Sequence, residues 1–369
     1  MNDKVLLVEL SGIHYEVVYS HIKCLKEAGY EVIFVCYEDI EERPELYSAA
    51  DRAVLLSEPS IRWAKPFQLL RVFCLLQEED CRNLVLATAD SGIWLIRALL
   101  LTLSALPLKL NVVRCIHNFR PLKKKFLENN IFNKVFKKVL VLNEYIVENN
   151  KDIIDRQNLL VESFLPIFFP KEGGKKLTKG DEETWICIPG KVNTDRRDYD
   201  ELIKQMGVKN VDERLKFILL GGDDGNLKEI KKKIRKNGVS ERFITFDSGF
   251  IPQKLMSSYI EKSDFIMPLI HPSKEKYKKY IEYKVSGAFN LAFGFEKPLV
   301  CVDDYEGSRD FDSFSIFYSQ NSIISTANRL PEIEKDDVID ENYVDRTMSI
   351  KNQSEKYKNI INNKGNKIF

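Results

Sequence analysis

Three cations crowd one glycine turn in the stretch "WICIPGKVNTDRRDYDELI", residues 185–203. An apolar run reads as a strand and stops at Pro189-Gly190. Lys191, Arg196 and Arg197 then share a short polar turn, and "YDELI" opens a helix. Glycine lets backbone N–H groups approach a bound group closely, and a helix amino terminus favours negative charge. With three side-chain cations added, such a turn suits a diphosphate. The same residues also admit a purely structural arrangement, in which Arg196 and Arg197 pair with Asp195, Asp198 and Asp200. A second glycine turn, Ser286-Gly287 with Lys284 just before it, opens another helix further along. In the first half, polar residues gather where apolar runs end: Ser11, Gly12, His14 and Glu16, then Asp90 and Ser91, then His117 and Asn118. A histidine or carboxylate at such a place can act as a general base, which makes His117, Glu16 and Asp90 catalytic candidates. The alternatives are that His117 is a structural histidine and that Glu16 only caps the helix after it.

The elements that must carry these residues repeat one pattern. "KVLLVEL" reads as a strand, "VVYSHIKCLKEAG" as a helix closed by Gly29, and "YEVIFVCY" as the next strand. Further strands are expected at "NLVLATA", "LNVVRCIHN" and "KKVLVLN". Alternation of this kind, with nearly continuous apolar strands, signals a parallel sheet covered by helices on both faces. Residues 165–184 contain two prolines, three glycines and mixed charges, and form a linker in this reading. The pattern then restarts through "WICIPG", "LKFILLGG", "FITFDSGFI", "DFIMPLI" and "KPLVCVDD". The expected fold is α/β: two tandem doubly wound Rossmann-like domains facing a cleft. Their expected extents are 1–164, then the linker 165–184, then 185–340. A C-terminal helix over 341–369 is expected to cross back to the first domain. Ligands of such sheets bind beyond the carboxyl ends of the strands, where the strand order reverses.

Composition narrows the classes. The chain has 369 residues, 44% hydrophobic and 30% charged, with a net charge of +1, so no nucleic-acid partner is expected. Seven scattered cysteines without a CxxC pair argue for reduced thiols and against a zinc site or a disulfide framework. The first residues lack the basic start and cleavage site of a leader, so a cytoplasmic location is expected. The apolar stretch 93–113 is divided by Arg97, Pro107 and Lys109, and reads as a helix over 93–105 and a strand over 109–115, not as a membrane span. Neither GxGxxG in the first strand–helix turn nor GxxxxGK[ST] occurs, which disfavours a nicotinamide oxidoreductase and a P-loop nucleotidase.

Four segments together carry a resemblance: "IPGKVNTDRRDYDELI", "FILLGGDDGNLKEI", "ITFDSGFIPQKLMSSYIEKSDFIMPLI" and "KVSGAFNLAFGFEKPLV". In this order they resemble the nucleotide-sugar-binding half of GT-B glycosyltransferases, particularly the family-4-like enzymes of bacterial surface-polysaccharide synthesis. The resemblance covers about residues 185–305, and the first domain only in pattern. It implies that Gly190, Lys191, Arg196 and Arg197 hold the donor diphosphate. It further implies that Gly222, Gly249, Phe250 and Ile251 lie near the base, and that Lys284, Ser286, Gly287 and Asn290 lie near the phosphates and ribose. Such enzymes offset the leaving group's charge with basic side chains and helix ends, so no catalytic metal and no cofactor is expected beyond the nucleoside-diphosphate-sugar donor. Retaining members carry Glu-x7-Glu. Glu282 stands at the first position, and Asn290 occupies the second.

The first domain is expected to hold a glycan or lipid-linked acceptor. Residues 114–138 contain eight Lys or Arg against one Glu, interleaved with Phe126, Leu127, Phe132, Val135 and Phe136. That run suits the anionic inner face of a cell membrane, or else a solvated helix with its aromatics in the core. Two alternatives to a transferase share the donor half: a nucleotide-sugar epimerase of GT-B fold, and a non-catalytic sugar-nucleotide-binding partner of another transferase.

Overall fold

The computed structural model describes residues 3–10, 15–38, 44–57, 65–89, 110–120, 136–170, 176–222, 225–246 and 251–363. Two sheets organise the chain, and every strand pairing in both is parallel. The first contains β1 (Lys4–Glu9), β2 (Glu31–Tyr37), β3 (Arg52–Leu56), β4 (Asn83–Leu86), β5 (Asn111–Ile116), β6 (Lys138–Leu142) and β7 (Leu160–Phe164), in the order β3-β2-β1-β4-β5-β6-β7. The second contains β8 (Thr184–Pro189), β9 (Leu215–Leu220), β10 (Phe243–Ile244), β11 (Phe265–Ile266), β12 (Leu299–Val302) and β13 (Ser315–Tyr318), in the order β10-β9-β8-β11-β12-β13. Both orders run outward from one strand, return, and run outward the other way. The reversal falls between β1 and β4 in the first sheet and between β8 and β11 in the second.

Period-two alternation explains why helices cover both faces of the first sheet. Val5 and Leu7 of β1 join Val32 and Phe34 of β2 in one core, while Leu6 and Val8 join Ile33 and Val35 in another. The first core is closed by the helix Tyr15–Glu27 and by the last helix, Ile350–Asn362; the second is closed by Val72, Leu75 and Leu76 of the helix Lys65–Glu78. The chain divides into two compact units. Met1–Pro170, Tyr283–Val285 and Arg346–Phe369 form the first, and Lys171–Glu282 with Ser286–Asp345 forms the second.

The last helix is fastened within the first unit by polar groups as well as by its apolar stripe. Gln353 accepts from the Leu165 N–H at 2.9 Å, and Lys356 donates to the Ser163 hydroxyl at 2.6 Å. At its carboxyl end the Ile361 carbonyl accepts from Asn111 at 2.8 Å and Lys138 at 2.6 Å, which satisfies an end group and suits the helix dipole. His21 on the first helix bonds the Tyr357 hydroxyl through Nδ1 and lies 4.7 Å from the Phe164 ring. Burial pushes the His21 imidazole down to about 3, with His117 adding to the shift.

Some elements differ from the expectations. β3, β7 and β13 were not anticipated, because "RAVLL" keeps an exposed arginine and "LVESF" carries Glu162 and Ser163. Only Phe265–Ile266 of "DFIMPLI" is strand, since Pro268 has no N–H to donate and Leu269 turns to φ 53. The single helix expected from 341 is broken. A helical turn at Glu341–Tyr343 and a π-helical turn at Val344–Met348 precede Ile350–Asn362, whose Ser349 cap accepts from the Asn352 N–H at 3.3 Å. The strand expected over 109–115 is β5, and the helix expected over 93–105 lies outside the described residues. Among the described residues no helix is long and apolar enough to cross a membrane.

An acid-sensitive fold follows from His21. The unfolded chain protonates this residue near pH 6.5 and the native state only near pH 3, so the unfolded state binds more protons in between. Stability should therefore be intact above pH 6.5 and fall by up to about 1.4 kcal/mol per pH unit below it. Chemical denaturation between pH 4 and 7 is expected to show this slope in the wild type and a flatter one in His21→Gln.

Candidate functional site

The reversal point of the second sheet puts the carboxyl ends of β8 and β11 side by side, and the cation turn lies there. Gly190 sits at φ 91, a conformation that L side chains rarely adopt, and its N–H donates to the Leu220 carbonyl at 2.8 Å. Gly221, at the end of β9, presses on it. A Cβ on Gly221 would lie 2.0 Å from the Gly190 carbonyl oxygen, so this position accepts no side chain. Gly222 accepts from the Val192 N–H at 3.0 Å and ties the two loops together.

Arg197 lies underneath this turn, 2% exposed. One guanidinium nitrogen, Nη2, donates to the Pro189 carbonyl, while Nε and Nη1 are buried with no hydrogen-bond partner among the described residues. Burial lowers its affinity for a proton from the ordinary value, the Tyr199 hydroxyl opposes this, and the neighbouring Arg196 adds to it. Arg196 donates to the Tyr280 hydroxyl at 2.9 Å and stands 5.8 Å from the centre of that ring; its Nε also lacks a partner among the described residues. Lys191 is exposed at the lip of the turn.

The carboxylates next to these arginines are engaged elsewhere. Asp195 pairs with Lys276 at 2.5 Å and Asp200 with Lys233 at 2.7 Å. Asp198 caps the helix Tyr199–Val208, accepting from the Glu201 N–H at 3.0 Å, and holds Lys274 at 3.1 Å and His271 at 3.4 Å, while the Ser273 hydroxyl donates to it. Burial works against the Asp198 carboxylate, yet the bonds from His271, Ser273, the Glu201 N–H and Lys274 hold it well below the usual carboxylate range. The structural pairing of Arg196 and Arg197 with these acids is therefore not the one formed. Residues 271–276 take Asp195 and Asp198 instead, and Lys233 takes Asp200. The loop after β11 is stitched to the turn by a bridge between Arg197 and Ile270 and by the Asp198 N–H on the Leu269 carbonyl at 3.2 Å. Leu269 is fully buried at φ 53, and such strain at a strand end is characteristic of ligand sites.

The second glycine turn lies in the same unit. Ser286 precedes the helix Gly287–Gly294 with extended backbone, and a Cβ on Gly287 would meet nothing within 4 Å, so the helix start borders open space. Phe289 and Phe293 fix this helix against Phe311 and Phe314, with ring centres 4.9 and 5.1 Å apart. Asn290 is 6% exposed, and its Oδ1 has no partner among the described residues. Ile251 is buried, Glu282 is exposed at the end of the helix Tyr277–Glu282, and Gly249 and Phe250 fall outside the described residues. Lys284 departs from expectation, because it belongs to the first unit. It forms an antiparallel bridge with Asn118, its neighbour Tyr283 accepts from the Phe119 N–H at 2.8 Å, and its own carbonyl accepts from the Tyr145 hydroxyl at 2.9 Å.

At the reversal point of the first sheet, β1, β4 and β5 end in a buried polar group. Glu9, fully buried, accepts from the Thr88 hydroxyl at 2.5 Å. His117 donates through Nε2 to the Ala87 carbonyl at 2.9 Å and stands 3.4 Å from the Thr88 oxygen. Neither Glu9 nor Thr88 was singled out from sequence. The available signal was a lone carboxylate closing an apolar strand, which costs too much to bury without a hydrogen-bond donor. Glu16 is exposed in the first turn of its helix, and Asp90 lies outside the described residues, as do Ser11, Gly12, His14 and Ser91. Asn143, after β6, is fully buried at φ 67, and neither amide atom has a hydrogen-bond partner among the described residues.

No protein-family model matches the chain, and no curated protein matches it either. Solved structures do. The lipopolysaccharide outer core galactosyltransferase WaaB superposes with a TM-score of 0.59 at 13% identity, over 97% of this chain and 99% of that one. The Anabaena protein HepE, solved with UDP and glucose, gives 0.57 at 10% identity over 97% and 95%. The fold is GT-B. A UDP-GlcNAc 2-epimerase from Methanocaldococcus jannaschii also matches, with a TM-score of 0.57 at 8% identity over 97% and 99% of the two chains. At such identities the GT-B likeness establishes architecture, and the chemistry has to be argued from the residues.

Replacing Gly221 by alanine would drive a methyl group into the Gly190 carbonyl. Gly221→Ala is expected to lower stability by about 3 kcal/mol or more, as overpacking of a backbone contact does, whereas Gly287→Ala should leave it nearly unchanged. Denaturant melts of the two variants compare them directly.

Proposed function

We propose that the protein is a glycosyltransferase that moves a sugar from a nucleoside-diphosphate donor to a glycan or lipid-linked acceptor. The observation that carries this reading is the Arg196–Arg197 pair at the end of β8, with buried guanidinium nitrogens that have no hydrogen-bond partner among the described residues, while Asp195, Asp198 and Asp200 bind other cations. A buried cation without a counter-anion is costly, and a bound diphosphate supplies one. Arg forms planar, bidentate contacts with phosphate, and Lys191 adds a further positive charge at the lip. The start of the helix Gly287–Gly294 offers backbone N–H groups to the same anion.

In this reading the anomeric C–O bond breaks and negative charge grows on the departing diphosphate. Lys191, Arg196, Arg197 and the helix end stabilise it more strongly than the bound donor, which is the condition for catalysis. That charge compensation makes a metal unnecessary, and no cofactor is invoked. Asn290 stands where retaining relatives of the resembled family hold a ribose with glutamate, and its unpaired Oδ1 can accept a ribose hydroxyl. The first unit presents the acceptor. We place the enzyme in the cytoplasm of a bacterium, in surface-polysaccharide synthesis, with Lys123, Lys124 and Lys125 of the basic run 114–138 meeting the inner membrane face; Arg114 and Phe136, toward the ends of that run, are buried and take no part.

An epimerase of the same fold would also bind the donor diphosphate, and the 2-epimerase likeness keeps that reading in view. Conversion of free UDP-sugar in the absence of any acceptor would distinguish it. A non-catalytic partner would bind the nucleotide without hydrolysis or transfer.

The double variant Lys191→Ala/Arg196→Ala is expected to fold and to lose all stabilisation by UDP, GDP or ADP in a thermal-shift screen. A response equal to wild type would place the diphosphate elsewhere. Replacing the lysines at 123–125 by alanine is expected to abolish co-sedimentation with vesicles containing anionic phospholipid, and unchanged binding would remove the membrane assignment.

A further inference from the structure

We infer that His271, Ser273 and Lys274 are positioning residues: by occupying the Asp198 carboxylate they keep it off Arg197, and so set how tightly the arginine pair takes a diphosphate. The inference rests on the donor reading proposed above, and it assigns a role to three residues that act through Asp198 and not on the donor itself.

An ionised carboxylate offers about four lone-pair directions. Those of Asp198 are taken in pairs. Oδ1 accepts from the Glu201 N–H at 3.0 Å and from Lys274 Nζ at 3.1 Å. Oδ2 accepts from the Ser273 hydroxyl and faces Nδ1 of His271 at 3.4 Å. A helix cap needs only the Glu201 N–H. The other three donors come from one short loop, and they leave the acid no capacity for a further cation. Next to it in the chain stands Arg197, whose Nε and Nη1 have no hydrogen-bond partner among the described residues. Asp198 is 4% exposed and Arg197 2%, so little water screens one charge from the other. Two such neighbours would pair if the acid had a lone pair to spare, and the loop removes it.

The loop is itself held in place. His271 is fully buried, and its Nε2 donates to the Gln320 carbonyl at 3.2 Å, just beyond β13, which leaves Nδ1 on the Asp198 side of the ring. The Lys274 N–H donates to the His271 carbonyl at 3.0 Å, a turn that carries Nζ back to the acid. The Asp198 N–H in turn donates to the Leu269 carbonyl at 3.2 Å, two residues before His271. Asp195 is a contrast within the same loop. Its pair with Lys276 has side chains 53% and 39% exposed, so solvent screens that charge whether or not the pair forms. Of the two acids that flank the arginines, the buried one has to be restrained.

A double-mutant cycle, read by calorimetric titration of the full chain with UDP, GDP and ADP, tests this. Lys274→Ala and His271→Gln are each expected to weaken nucleotide binding about tenfold. Lys276→Ala should leave it within about threefold of wild type, although it removes the same charge as Lys274→Ala. Asparagine caps a helix as well as aspartate does, so Asp198→Asn should fold and bind as the wild type does. In the Asp198→Asn background, Lys274→Ala and His271→Gln should no longer weaken binding, because the charge they restrain is gone. Losses of equal size in both backgrounds would mean that these residues act through net charge or through loop integrity, and would overturn the inference while leaving the donor site in place. Unchanged binding in both single variants would overturn it equally. Failure of the wild-type chain to bind any of the three nucleotides would overturn the diphosphate reading, and this inference with it.

Discussion

A guanidinium buried at the end of a strand, with no carboxylate to answer it among the described residues, is the constraint around which the second unit is arranged. Arg197 gives one nitrogen to the Pro189 carbonyl, and its other two have no hydrogen-bond partner among the described residues. Such a residue persists only where surrounding structure over-determines it. Here the surroundings are specific. Gly221 admits no side chain against Gly190, the loop after β11 is bridged to Arg197 through Ile270, and Leu269 accepts a left-handed backbone beside it. Asp198 might have neutralised the cations, but four other donors hold it at a helix cap. The unit thereby keeps positive charge in a low-dielectric place, where it acts on a bound anion with far more force than at an open surface.

The two units share one strand order and differ in what they place at its reversal. The second offers cations and a glycine-lined helix start, the chemistry of a phosphate site. The first offers a carboxylate, a hydroxyl and an imidazole in hydrogen-bonded sequence, the chemistry of proton movement. The same scaffold carries two different sets of groups by changing only the residues where strands end.

How much of this the amino-acid order disclosed depended on the range of the interactions. Strands buried on both faces, such as "KVLLVE" and "TWICIP", are legible because burial explains the four unbroken apolar residues at the centre of each. Edge and polar strands such as "RAVLL" and "LVESF" are not, since their pairing is decided by a neighbour far along the chain. The glycine turn and its cations were visible as a cluster. Which acid pairs with which base was not, because Asp195 finds Lys276, 81 positions away, and Asp198 finds Ser273, 75 positions away, with Lys274 beside it. Local sequence left open whether the aspartates would pair with the arginines, and the fold brings in other cations to hold those aspartates. Glu9 escaped notice for a related reason. Its significance lies in Thr88 and His117, which only the strand order β1-β4-β5 brings beside it.

The route of the chain through its two units has a consequence for its synthesis. The first unit closes with Tyr283–Val285 and with the helix Ile350–Asn362, whose Tyr357, Ile360 and Ile361 complete the core begun by Val5 and Leu7. A ribosome releases residues in order, so the half that starts first is the last to acquire all its parts. The second unit, whose final residue is Asp345, has every segment in hand before that helix emerges. During translation the first sheet waits with one apolar face covered only in part, by the helix Tyr15–Glu27, a state in which nascent chains depend on chaperones or risk aggregation.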